Sequence, residues 1–136
     1  MIVVDTDVVA YSFLRKDAER AVLADAVVAK DKVWAAPPLW IAEYRNVLAT
    51  HIRFREMGLE EARRLAIAAE GYMDRHSIPV ATEDVLRLVA ASKCTAYDCE
   101  FVAAAQSIGV KLVTGDRKLA AAFPETAVTM EEFVGA

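Results

Sequence analysis

A chain of 136 residues has room for one compact domain and too little for two ordinary ones, so residues 1–136 are read as a single domain. Its 56% hydrophobic and 26% charged content excludes a disordered chain, and no apolar run approaches the roughly 18 to 20 residues that span a bilayer. The net charge of −4 and pI near 5.2 argue against gripping nucleic acid by bulk electrostatics, which leaves a substrate that is not a polyanion, or acids gathered where divalent cations reverse the local sign.

Ile2-Val3-Val4 predicts a first strand, short and wholly apolar, hence covered on both faces. The same N-terminus lacks a basic n-region and meets Asp5 after three apolar residues, so a cytoplasmic protein without a membrane partner is expected. A helix follows from about Asp7 through Leu14, and a second from about Asp17 to Lys30. Val33-Trp34-Ala35 is the next strand candidate. Pro37-Pro38 then opens a helix from about Leu39 to Glu56, with Gly58 as its expected C-cap. Another helix is expected from about Leu59 to Arg75. Ile78-Pro79-Val80 predicts a third strand, which the proline pushes toward a sheet edge. Thr82-Glu83-Asp84 opens a further helix, and one from about Tyr97 to Ile108 ends at Gly109. Val110 to Thr114 is the clearest strand, Asp116 to Phe123 a short helix, and Ala127-Val128-Thr129 a last strand.

Strands alternating with helices imply βαβ units, a mostly parallel sheet of about five strands and a three-layer α/β/α sandwich. Such sheets bind ligands just beyond the carboxyl ends of their strands, and Asp5 and Asp116 each follow a predicted strand. Taken singly, Asp5, Asp7 and Asp116 are ordinary helix caps, and Asp98 closes a capping box that begins at Thr95. Glu43 lies a full turn into its helix, beyond simple capping, at the margin of the stripe Trp40, Tyr44, Val47, Leu48. A helical wheel puts Asp98 between Phe101 and Val102, on the face expected to be buried. A buried carboxylate is costly unless paired or bound to a metal, so these two positions carry the weight of a functional reading.

Crowded carboxylates raise one another's pKa unless a cation stands between them, and Mg2+ or Mn2+ suits an all-oxygen site. His51 and His76 have no partner at metal-ligand spacing and read as surface residues, while Cys94 and Cys99 read as buried free thiols. Gly-rich phosphate loops and the Gly-x-Ser-x-Gly elbow are missing, which removes the usual signatures of nucleotide hydrolysis, dinucleotide redox chemistry and serine hydrolases.

Four segments in order resemble the PIN-domain ribonucleases, and most closely the VapC toxins of VapBC-type (type II) toxin-antitoxin systems: Ile2-Val3-Val4-Asp5-Thr6-Asp7-Val8, Glu43-Tyr44-Arg45-Asn46-Val47-Leu48, Tyr97-Asp98-Cys99-Glu100-Phe101-Val102-Ala103-Ala104-Ala105 and Leu112-Val113-Thr114-Gly115-Asp116-Arg117-Lys118-Leu119. The resemblance implies a Mg2+- or Mn2+-dependent endoribonuclease that acts as a toxin. Its catalytic quartet would be Asp5, Glu43, Asp98 and Asp116, with Asp5, Asp98 and Asp116 toward the metal and Asp5 and Asp98 its foremost ligands. It further implies supporting contacts from Thr6 and Asp7, a Thr114 that orients Asp116, a small antitoxin partner and a homodimer. Asp7 departs from the small or amide-bearing residue common there, and no further acid follows Asp116 closely, so the ligands of a second metal stay open. Arg15, Lys16, Arg45, Arg53 and Arg55 are available for local phosphate contacts, while His51-Ile52-Arg53-Phe54-Arg55 reads first as an exposed helical face with one buried aromatic.

Two other readings stand beside this one. Asp5-Thr6-Asp7-Val8-Val9 also resembles the nucleophile motif of haloacid dehalogenase-like phosphatases, with Asp5 phosphorylated, but that reading leaves Glu43 and Asp98 unexplained and finds Ala120 where a later acid belongs. The other is a catalytically inactive PIN-like module that only binds a partner.

Overall fold

A computed structural model describes residues 1–135. Four short strands form one all-parallel sheet: β1 (Ile2–Val4), β2 (Trp34–Ala35), β3 (Leu112–Thr114) and β4 (Ala127–Thr129), in the order β2-β1-β3-β4. Every residue of β1, β2 and β3 is buried, the mark of a sheet covered by helices on both faces rather than one with a wet side. The register pairs Val3 with Ala35 on one side and with Leu112 on the other.

Among the described residues eight α-helices surround the sheet: α1 (Thr6–Leu14), α2 (Ala18–Lys30), α3 (Leu39–Phe54), α4 (Leu59–Met73), α5 (Thr82–Ala90), α6 (Ala96–Ile108), α7 (Arg117–Ala122) and α8 (Met130–Gly135). α1 packs on α2, α3 and α4, whereas α6 packs on α5 and lies against β1 and β3. Local chemistry starts several of these helices. Asp5, Asp17, Thr95 and Asp116 each accept a backbone N–H from the first turn of the helix that follows, and Gly109 closes α6 in the left-handed conformation at φ 69°.

The three-layer α/β arrangement is the expected one, with four strands rather than about five. Ile78-Pro79-Val80 is not a strand. Only Ser77 makes an isolated parallel bridge, to Ala36, and the chain then leaves the sheet. Proline has no N–H to extend a ladder, so the segment stops there. Gly58 is not the C-cap of α3 but the extended residue that precedes α4; Glu56 makes the left-handed turn instead, at φ 58°. The short α8 was not anticipated.

The topology selects a site. From β1 the chain crosses to β2 on one side, and after α3 to α6 it returns to β3 on the other. The reversal falls between β1 and β3, and a crevice opens beyond their carboxyl ends.

Candidate active site

Asp5 stands at that crevice. It is only 8% exposed, because it ends a fully buried strand and begins α1 beneath neighbouring helices. Its Oδ1 accepts the Val8 N–H at 3.1 Å, and its Oδ2 accepts the Thr114 hydroxyl and the Gly115 N–H, the latter at 3.3 Å. These donors favour the carboxylate, yet burial outweighs them and, with Asp7 adding repulsion, pushes the pKa up from 3.8 to about 7. Asp5 is held in place and is short of positive charge.

The cleft above it has a volume of about 420 Å3. Its floor is the start of α1, with Asp5, Thr6 and Asp7. One wall is a single stripe of α3, Leu39, Ala42, Glu43, Asn46 and Val47, spaced as one helical face requires. The other wall is the first turn and a half of α6, with Tyr97, Asp98 and Phe101. The structure thus brings Asp5, Thr6, Asp7, Glu43 and Asp98 to one cavity from segments far apart in the chain.

Glu43 is tied to the floor by the Thr6 hydroxyl, which donates to its Oε1 at 2.7 Å. Burial raises its pKa, Thr6 draws it back, and Asp98, Asp7 and Glu100 raise it further. Asp98 is raised by burial and then by Asp116, with the Thr95 hydroxyl opposing. Asp7 opens to solvent at the cleft, but partial desolvation, followed by the charges of Asp116 and Asp98, raises it too. Every charged neighbour that moves these three groups is another acid.

Asp116 stands beside this cavity rather than in its lining, near enough for its charge to act on Asp7 and Asp98. Its Oδ1 caps α7 through the N–H groups of Lys118 at 2.8 Å and Leu119 at 3.3 Å. The Thr114 hydroxyl donates to Asp5 and accepts the backbone N–H of Asp116 at 2.9 Å. Asp98, expected on a buried face, is half-exposed, because that face of α6 looks into the cleft and not into the core. The buried acid is Asp5, whose place before α1 is that of an ordinary cap.

The basic residues expected to touch phosphate do not line this cleft. Arg15 forms a bidentate pair with Asp25, Lys16 pairs with Glu61, and Arg45 approaches Glu70 at 4.0 Å. Arg53 is exposed near the far end of α3, roughly 15 Å along the axis from Glu43. None of the residues lining the cleft is basic. Asn46 and Tyr97 line it without having been singled out; the signals were Asn46 one turn beyond Glu43 and Tyr97 adjacent to Asp98.

The donors are all oxygens, which is the ligand chemistry of Mg2+ and Mn2+ and not of zinc. Among the described residues no three Asp, Glu, His or Cys side chains close on a point where they would hold an ion unaided. An open set suits Mg2+, which keeps several waters and takes one or two carboxylates. The excess of uncompensated acid, with Asp5 raised to about 7, is what a cation would relieve.

The fold and cleft define an α/β domain with a carboxylate-lined crevice at its topological switch point. The chain belongs to the PIN domain family, which it matches over residues 2–123. The PIN domain is generally a metal-dependent nuclease fold. The chain is similar in structure to PAE2754 from Pyrobaculum aerophilum, with a TM-score of 0.75 and 23% identity over 98% of this chain and 93% of that one, a likeness of fold. No curated protein matches it.

Proposed function

We propose that this protein is an endoribonuclease that hydrolyses RNA phosphodiester bonds with Mg2+ or Mn2+, and that it serves as the toxin of a VapBC-type pair. The observation that carries the nuclease reading is Asp5: a buried, rigidly held carboxylate at the switch point, surrounded by Asp7, Glu43 and Asp98 with no basic residue in the cleft. A divalent ion held by Asp5 and Asp98, with Asp116 alongside, would neutralise charge on the scissile phosphate and acidify a water. The chain's own groups do the rest. Val8, Thr114 and Gly115 fix the Asp5 carboxylate, and Thr6 fixes one oxygen of Glu43 at the cleft. Glu43, its proton affinity raised by burial, is the group suited to take up a proton from the attacking water.

The toxin assignment rests on the resemblance of four ordered segments to VapC proteins. Exposed apolar side chains at the α3–α4 junction, Ile52, Phe54 and Leu59, with Phe54 76% exposed, support a protein partner such as a small antitoxin or a second copy in a homodimer. A cytoplasmic location follows from that role. Among the described residues no helix is long and apolar enough to cross a membrane.

The test is cleavage of RNA by the purified, antitoxin-free protein with Mg2+, with Mn2+ and with EDTA. Cleavage should require the metal and fall more than about a hundredfold in Asp98→Asn. Metal-dependent phosphatase activity with a phosphoaspartate at Asp5 and no RNA cleavage would replace this reading by the phosphatase one, and inactivity under every metal by the binding module.

A further inference from the structure

The cleft has a second half that the acids do not use. Leu39, Ala42 and Val47 on α3, together with Phe101 on α6, make one side of it apolar. Phe101 is 2% exposed and forms part of the packed core, so this side is firm. Tyr97 precedes Phe101 by one helical turn on the same face of α6, lines the same cavity, and is 61% exposed. Among the described residues its ring has no aromatic neighbour and its hydroxyl no hydrogen-bond partner. A large ring left open at the mouth of a cleft, against an apolar wall, presents a free π-face. Asn46 lines the α3 wall with its side-chain amide also unpartnered, offering both a donor and an acceptor.

We propose that Tyr97 is a substrate-positioning residue that stacks a nucleobase of the RNA next to the scissile phosphate, with Asn46 reading that base's edge. This rests on the nuclease reading. The charge distribution supplies the argument. A cleft whose charged lining residues are Asp5, Asp7, Glu43 and Asp98 repels a sugar-phosphate backbone everywhere except at a bound cation. With no Lys or Arg in the lining to hold a phosphate inside the cleft, stacking of a base on an aromatic side chain is the attractive contact that the lining itself offers. In a duplex the base faces are covered by their neighbours and the base edges are paired. The cleft therefore selects a loop or a single strand, whose bases can be splayed out.

The experiment compares wild type, Tyr97→Phe, Tyr97→Ala and Asn46→Ala on short single-stranded RNAs, on the same sequences locked in a hairpin stem, and on single strands with an abasic site moved along them. Binding is followed in parallel with a 2-aminopurine-labelled, non-cleavable oligonucleotide. Tyr97→Ala should lose roughly 5- to 150-fold in kcat/KM, chiefly through KM, and should lose the quenching of 2-aminopurine. Tyr97→Phe should keep both. At one abasic position wild type and Tyr97→Ala should become equally slow, Asn46→Ala should flatten base preference there, and stem RNA should be cut poorly by all. The rate of wild type should fall only weakly with added salt, since few phosphates are held by side-chain cations. Equal loss in Tyr97→Phe and Tyr97→Ala, or equal cleavage of stem and single strand, would overturn the stacking role while leaving the nuclease intact. Tyr97-dependent quenching in a protein that cuts no RNA would keep the stacking site and overturn the nuclease. Neither cleavage nor quenching would overturn both.

Discussion

Asp5 and Asp116 perform the same local task in two places, and the comparison shows what local sequence does and does not encode. Each follows a strand of the parallel sheet, β1 or β3, and each caps the next helix with a side-chain oxygen. Asp116 does little else structurally: it accepts two N–H groups of α7 while in part open to solvent. Asp5 accepts one N–H of its own helix and two further hydrogen bonds from the β3–α7 segment, and it is buried. An N-cap stabilises a helix wherever it sits. The buried one holds its carboxylate in an environment that disfavours its charge, and that unfavourable contribution is what a cation can remove.

The largest expected effect separates the two acids by pH. The folded pKa of Asp5, about 7, lies above its ordinary 3.8, so between these values the folded state binds a proton that the unfolded chain has released. The contribution of Asp5 to the stability of the metal-free protein should therefore be fully present below about pH 4, fall as pH rises toward 7 and then level off. For this group alone the loss amounts to up to about 4 kcal/mol. The raised values of Asp7, Glu43 and Asp98 act in the same sense. Asp5→Asn removes the charge but turns one of the two accepting oxygens into an NH2 that cannot accept, so it costs hydrogen bonds at every pH while its denaturation midpoint should change much less between pH 5 and 8. Mg2+ or Mn2+ should raise the wild-type midpoint more at pH 8 than at pH 5 and should barely affect Asp5→Asn. Asp116→Asn should flatten the metal-free scan far less, acting only by relieving Asp7 and Asp98 of its charge. Equal behaviour of the two Asn variants would remove the distinction drawn between these acids.

A smaller effect tests the link between them. Thr114 is fully buried, and its hydroxyl is at once the donor to Asp5 and the acceptor for the Asp116 N–H. Thr114→Val keeps the shape and removes both bonds. It should cost about 1 to 3 kcal/mol in chemical denaturation, more at pH 8 than at pH 5, because the lost donor held the ionised form of Asp5. A cost independent of pH would mean that the bond to Asp116 dominates.

Much of this arrangement was legible in the sequence. β1, β3 and β4 are apolar runs that end at a polar or acidic residue, and the α/β alternation followed from them. The convergence of Asp5, Glu43 and Asp98 on one cleft is a tertiary fact that the resemblance to PIN domains supplied and that spacing alone did not. The helical wheel placed Asp98 correctly on the face with Phe101, but a wheel gives a direction and not what lies in it. There, the face points into the core lower down and into the cleft at the first turn. Conversely, nothing local distinguishes Asp5 from Asp116, since the burial of Asp5 depends on contacts distant in the chain, those with Thr114 and Gly115 among them. Ile78-Pro79-Val80 failed for a related reason: its apolar pattern suits a strand, but only Ser77 meets an open neighbour, in Ala36.

Gly115 gives the smallest and most local test. A Cβ built there would lie 3.2 Å from Tyr11 Cε2 and 3.3 Å from Asp7 Cβ, tighter than ordinary packing, with no positive φ to add strain. The Tyr11 ring is half-exposed and can swing away, but Asp7 Cβ is fixed to α1 and cannot. In Gly115→Ala the β3–α7 segment should therefore back off from α1 by a few tenths of an ångström, at about 1 kcal/mol, readable as a drop of a few degrees in Tm. That movement stretches the bond from the Gly115 N–H to Asp5, already 3.3 Å, while leaving the Asp116 cap on Lys118 and Leu119 untouched. RNA cleavage should consequently fall by more than the small stability loss explains, whereas a destabilised Gly115→Ala protein with unchanged kcat would show that Thr114 and Val8 alone suffice to hold Asp5.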